Sequence, residues 1–133
     1  MSADNIQFVQ SLYAAFGRGD IDTIVDACAP DIRWEITGRQ QDYPLLGART
    51  GRQGVREFFG AVAELQDASD FSPREFYAAD GRVFVLGHYA WTLHKTKRSV
   101  ESDWIHVFTI KDRQVTSFRE FTDTARFAEA ARG

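Results

Sequence analysis

The chain has 133 residues, of which 44% are hydrophobic and 26% charged, the balance of one globular domain over 1–133 rather than a disordered tail. Sixteen Lys+Arg against nineteen Asp+Glu leave a net charge of −3, which argues against a phosphate-backbone surface and hence against a nucleic-acid partner. A single cysteine, Cys28, excludes an internal disulfide and a multi-thiolate zinc site. Ile6, Val9, Leu12, Tyr13 and Phe16 recur at helical spacing, and Gly17 with Gly19 supplies the stop. Asp20 reads as the N-cap of a second, short helix with Ile21, Ile24, Val25 and Cys28 on one stripe, ended by Pro30. From Asp31 to Thr37 the pattern alternates, with Ile32, Trp34 and Ile36 on one face, which is a strand. Gly38 to Arg49 reads as a loop. Thr50 and Gln53 fit a capping box for a third helix whose stripe is Val55, Phe58, Phe59, Val62 and Leu65.

After Asp70 the period changes to two. Strands are expected at Phe71–Ala79, Arg82–His94, Val100–Lys111 and Arg113–Phe121. Asp80-Gly81 is a hairpin turn and Lys111-Asp112-Arg113 a tight connection. Asp123 caps a short terminal helix carrying Phe127. Helices gathered on one face of an antiparallel sheet make an α+β domain. No apolar run reaches the roughly 18 residues of a membrane span. The start, Met1-Ser-Ala-Asp-Asn, has no basic region leading into an apolar one. A cytoplasmic protein without a membrane partner is therefore expected.

This order, with "YAAFGRGDIDTIVDACAPDIRWEI" at the start, "GARTGRQGVREFF" in the middle and "DWIHVFTIKDRQVTSFREFTDT" near the end, resembles the nuclear transport factor 2-like superfamily. The SnoaL-like and ketosteroid-isomerase-like branch is the nearest in look. The resemblance covers essentially the whole chain. It implies a cone-shaped curved antiparallel sheet wrapped around about three N-terminal helices, with a short C-terminal helix. A deep apolar pocket and a homodimer formed through the sheet's outer face are also implied. It does not fix the chemistry, because the superfamily hosts isomerases, cyclases, dehydratases, epoxide hydrolases and proteins without catalysis.

A two-residue loop at Thr96-Lys97 sets Lys95 opposite Arg98, Gly87 opposite His106 and Tyr89 opposite Trp104. Trp104, His106 and Phe108 then share a face with Tyr89 and Trp91. The other face shows Phe84, Leu86, His88, Ala90, Ile105 and Val107, apolar enough for a dimer surface. A domain with 14% aromatic residues has rings to spare for a cavity wall. Trp34, Ile36, Phe59, Tyr89, Trp91, Trp104, Phe108 and Phe118 are the expected ligand-binding residues.

His106 is the first candidate for chemistry, since imidazole titrates near neutrality. The resemblance puts "HVFTI" where the isomerase-like pattern has a carboxylic acid donating to the substrate oxyanion. The alternative is a core histidine satisfied by a neighbour. Glu120 is the second: SnoaL-like cyclases place an essential acid on a late strand, and Glu120 is the nearest match. Either Phe118, Glu120 and Thr122 face the pocket, or Glu120 is solvated beside Arg119 at a sheet edge. Tyr13 is the third. The isomerase-like pattern uses a tyrosine on the first helix, but its aligned position holds Leu12, with Tyr13 one step on. The isomerase's catalytic aspartate falls at Ile36, so steroid isomerisation by that route is not expected.

Arg39, Arg49 and Arg52 cluster before the third helix, as an attractor for an anionic substrate or as ordinary surface charge. The three histidines offer no ligand spacing, so no metal is expected. "GRQG" does not follow a strand, so no nucleotide cofactor is implied. The chain is thus expected to bind a small hydrophobic carbonyl-type molecule and to perform cofactor-free acid–base chemistry of the isomerase, cyclase or dehydratase kind. His106 would move the proton, Glu120 would orient it or act as partner acid or base, and Tyr13 or a tryptophan N–H would donate to the oxyanion. A non-catalytic carrier and a protein-interaction domain are the alternatives.

Overall fold

The computed structural model describes residues 2–133; Met1, the first residue of the segment read for a leader, lies outside them. The elements are α1 (Ser2–Gly17), α2 (Ile21–Asp26), β1 (Cys28–Ile36), β2 (Gly47–Thr50), α3 (Gly51–Leu65), β3 (Gln66–Ala79), β4 (Arg82–Leu93), β5 (Ser99–Lys111), β6 (Gln114–Thr122) and α4 (Thr124–Arg132). The strands form one open, curved sheet in the order β2-β1-β6-β5-β4-β3, with α1 and α3 against its inner face, an α+β fold. All pairs are antiparallel except one. β1 runs parallel to β6, a correction to the fully antiparallel sheet expected, and it joins the first strand to the last.

Local chemistry sets the element ends. Asp20 caps α2 as expected, accepting from the Thr23 amide at 3.3 Å and its hydroxyl at 2.6 Å. Cys28 and Pro30 belong to β1 rather than to that helix; the register of β1 against β6 shifts between Cys28 and Arg33, where a proline without N–H does least harm. The expected capping box is not formed. Thr50 is the last residue of β2, paired with Arg33, and makes no side-chain cap bond; Gly51, at φ 77°, makes the turn into α3. β3 starts five residues earlier than expected, because Gln66 follows α3 directly into an edge strand whose two irregularities, around Ala68 and Pro73, mask the alternation. The turns at Asp80-Gly81 and Asp112-Arg113 have positive φ at both central residues, the geometry that follows strand twist. Asp123 caps α4 through the Arg126 amide.

The β4–β5 hairpin closes by a longer loop than expected: Thr92 pairs with Ser99, and Lys97 takes a φ of 64°. Tyr89 therefore faces Ser102, Gly87 rather than Tyr89 faces Trp104, and Val85 rather than Gly87 faces His106. The slip is an even number of residues, so every side chain keeps its expected face. Inner-face residues alternate as buried along β4 and β5. Val9 and Ala15 of α1, Ile32 of β1, Val55 of α3, and Val83 and Val85 of β4 are wholly excluded from solvent. Each larger aliphatic so buried contributes about 1.5–3 kcal/mol. Cys28 is 1% exposed, and burial pushes its thiol up to about 11 against the opposing pull of Arg52. The outer face keeps Ile105 and Phe121 substantially exposed. No described helix is long and apolar enough to cross a membrane.

Candidate functional site

Strand pairing brings the acid to the imidazole. His106 of β5 lies opposite Val85 on one side and Glu120 of β6 on the other, and Glu120's second neighbour is Ile36 of β1. Paired residues on one face sit within side-chain reach. Glu120 Oε1 is 2.7 Å from His106 Nε2, and the two side chains are 14% and 5% exposed. The solvated-edge alternative for Glu120 is thereby overturned. Arg119 takes the outward position instead, 3.3 Å from Glu35 and over the Phe121 ring.

Tyr13 projects from α1 into the same place, with its hydroxyl 2.7 Å from His106 Nδ1 and its ring parallel to the imidazole within 9°. Burial, then the Glu120 charge, holds the Tyr13 hydroxyl well above its ordinary value, so it stays protonated. Where Glu120 accepts from Nε2–H, Nδ1 is left to accept from the Tyr13 O–H. The other carboxylate oxygen, Glu120 Oε2, is 3.2 Å from the Tyr89 hydroxyl, which also lies 2.8 Å from Thr122 Oγ1. Burial raises Tyr89 in the same way. A partly buried line of five polar side chains results: Tyr13, His106, Glu120, Tyr89 and Thr122.

These groups border a cavity in which about 90 Å³ is open to the centre of a water molecule, several times the space one water needs. Of the expected wall residues, Trp34, Ile36, Phe59, Tyr89, Trp91, Phe108 and Phe118 line it. Trp104 does not. Its indole lies 3.9 Å from the His106 ring, nearly parallel, over Gly87, where a Cβ would fall inside the indole. Trp104 therefore backs the imidazole from outside the cavity lining. Trp34 stacks on Phe118 at 4.0 Å. The indole nitrogens of Trp34, Trp91 and Trp104 are buried without a hydrogen-bond partner among the described residues. Each such donor costs about 1–3 kcal/mol unless something accepts from it.

The three arginines do not converge. Arg39 pairs with Asp42, Arg49 bonds the carbonyls of Pro44 and Leu45, and Arg52 bonds the carbonyl of Cys28. None lines the cavity. No cluster of three His, Cys, Asp or Glu able to hold a metal occurs among the described residues. Sequence reasoning missed Tyr43, Leu45, Gln66, Phe71 and Phe127 as wall residues. The apolar Tyr-Pro-Leu-Leu run inside a polar loop was the available signal for the first two, since surface loops seldom carry such a run. Gln66 left none, being a lone polar residue at a helix–strand junction.

The fold and its walled cavity define a nuclear transport factor 2-like protein. The model of the SnoaL-like domain matches residues 9–118, and the chain belongs to that family. Among solved structures it is similar to an NTF2-like protein of Burkholderia xenovorans LB400, at 34% identity over 98% of this chain and 97% of that one, with a TM-score of 0.88. An NTF2-like protein of unknown function from Burkholderia pseudomallei K96243 is 30% identical, covering 98% of each chain, with a TM-score of 0.85. TerC co-crystallised with polyporic acid is 28% identical over 97% of this chain and 98% of that one, with a TM-score of 0.84. No curated protein matches the sequence.

Proposed function

We propose that the chain binds a small hydrophobic carbonyl compound in this cavity and moves a proton beside the carbonyl without a cofactor. The reading is carried by the Glu120–His106 pair, joined at 2.7 Å inside an aromatic wall. Glu120 occupies the position next to Ile36 on the neighbouring strand, so a carboxylate stands one strand away from where the isomerase-like pattern would put its base. In this reading the Glu120 carboxylate takes a proton from the carbon adjacent to the carbonyl. The C–H electron pair becomes the C=C bond of an enolate, and the carbonyl π pair moves to oxygen. The indole N–H groups of Trp34 and Trp91, which belong to cavity-lining residues and have no partner among the described residues, are the candidate donors to that oxygen. His106 and Tyr89 each hold one oxygen of Glu120, and Tyr13 fixes the His106 tautomer. Return of the proton to a different carbon is isomerisation; attack of the enolate on a second carbonyl is cyclisation.

One observation favours a second reading, storage without turnover. Both oxygens of Glu120 and both nitrogens of His106 already have partners within the protein. The two readings part on proton exchange. With 1,3-diphenylacetone in D2O, an acid–base enzyme accelerates deuterium entry at the carbons flanking the carbonyl, as read by NMR. Glu120→Gln is expected to lower that rate about 100-fold or more. Binding of the ketone, or of polyporic acid, as a rise in melting temperature without any acceleration of exchange establishes the carrier and removes the catalyst.

A further inference from the structure

The cavity has a second polar end. Gln66, first residue of β3, is 5% exposed and lines the cavity, as does Tyr43 from the loop between β1 and β2. The Tyr43 hydroxyl donates to Gln66 Oε1 at 2.8 Å. Burial pushes that hydroxyl up to about 12, so it is a fixed donor and it sets which way the carboxamide points. With Oε1 taken by Tyr43, the Gln66 Nε2 amide makes no hydrogen bond to any described residue. A carboxamide NH2 carries two donors, and this one, unlike the three indole nitrogens, is not sealed from solvent, so it is free to meet an acceptor.

This end lies far from the acid–base pair. Gln66 pairs with Leu93 and His106 pairs with Val85, eight residues apart along β4. Between them the rings of Tyr43, Phe127 and Tyr89 follow one another, with centroids 5.6 and 5.9 Å apart, and Tyr89 reaches Glu120. No lysine or arginine borders the cavity, so nothing there compensates a negative charge on a ligand.

We infer that Gln66, oriented by Tyr43, is a second recognition point that reads an uncharged acceptor oxygen at the far end of an elongated ligand. The inference rests on the small-ligand reading of the cavity. The ligand class that follows is a flat, largely aromatic molecule with one carbonyl at Glu120 and a second neutral oxygen, such as a ketone, ester or amide carbonyl, at its other end. The carboxylate-bearing counterpart is rejected, because its charge would be buried beside Oε1 and the Tyr43 oxygen without a cation.

Two matched probes test this: 1,3-diphenylacetone, and the same ketone with a 4-acetyl group on one ring. Titration calorimetry is expected to give the acetylated ketone about 3- to 10-fold tighter binding to the unaltered protein, the return on one neutral hydrogen bond. In Gln66→Met, a substitution of similar volume, the ratio of the two affinities falls to about one. Tyr43→Phe, which frees the carboxamide to turn, lowers the ratio part of the way and serves if the first variant does not fold. An unchanged ratio in both variants, or no preference in the unaltered protein while both ketones bind, overturns the role of Gln66 and leaves the small-ligand reading standing. Failure of both ketones to bind overturns the cavity reading itself, and this inference with it.

Discussion

Two histidines on neighbouring strands show what medium does to one chemical pair. His106 faces inward, 5% exposed at its side chain, and bonds a carboxylate that is 14% exposed. His88 faces outward, with Nδ1 and Nε2 each 2.8 Å from the carboxylates of Asp103 and Glu101, which are 87% and 67% exposed. Both histidines sit beside acids at hydrogen-bond distance. Outside, water competes for every charge and screens the pair, so the contact adds little. Inside, water is largely shut out, and beyond each other the two partners have the Tyr13 and Tyr89 hydroxyls. Removing one leaves the other without its main partner in a largely apolar wall, and the pair becomes a structural commitment.

The largest expected effect breaks the inner pair. Glu120→Ala is predicted to lower unfolding stability by about 3 kcal/mol, as measured by chemical denaturation, whereas Glu101→Ala on the outer face leaves the melting temperature unchanged. Equal losses in the two variants would refute the contrast. Next comes the packing behind the imidazole. Gly87→Ala puts a methyl where the Trp104 indole lies and is predicted to cost about 1–3 kcal/mol, with a shift in tryptophan fluorescence. A fully stable variant with an unshifted spectrum would show that Trp104 is free to move. The smallest effect sharpens the outer side. The Asp103 and Glu101 hydrogen bonds raise His88 above its ordinary value of 6.5, and Asp103→Asn is predicted to bring its NMR titration back toward that value. Because the folded value is the higher one, the accompanying stabilisation is present below pH about 6.5 and is lost as pH rises through the folded value. A native midpoint at or below 6.5 would remove the outer pair from the comparison.

The inner site was legible where strand parity decides. Trp104, His106 and Phe108 alternate against Ile105 and Val107, and the hairpin slip preserved that parity, so the imidazole's face was readable without the correct partners. β6 was not, because Phe118 and Phe121 lie on opposite faces and either set of alternating residues could be apolar-in. Only the pairing of β6 with both β1 and β5 settles that Phe118 and Glu120 point inward. That pairing includes the parallel β1–β6 contact, a long-range crossover with no local pattern to announce it. Tyr43 and Gln66 were hidden for the same reason: each is polar at its tip, and what makes them a pair is a contact across 23 residues of chain.

The lone thiol, shut away at the start of β1, turns the molecule into its own stopwatch. A thiol 1% exposed and held near 11 cannot meet an alkylating reagent while the sheet is closed. The pace at which such a reagent tags Cys28 therefore counts how often the β1–β6 seam comes apart, and a cavity-filling molecule would slow that clock without touching the cysteine.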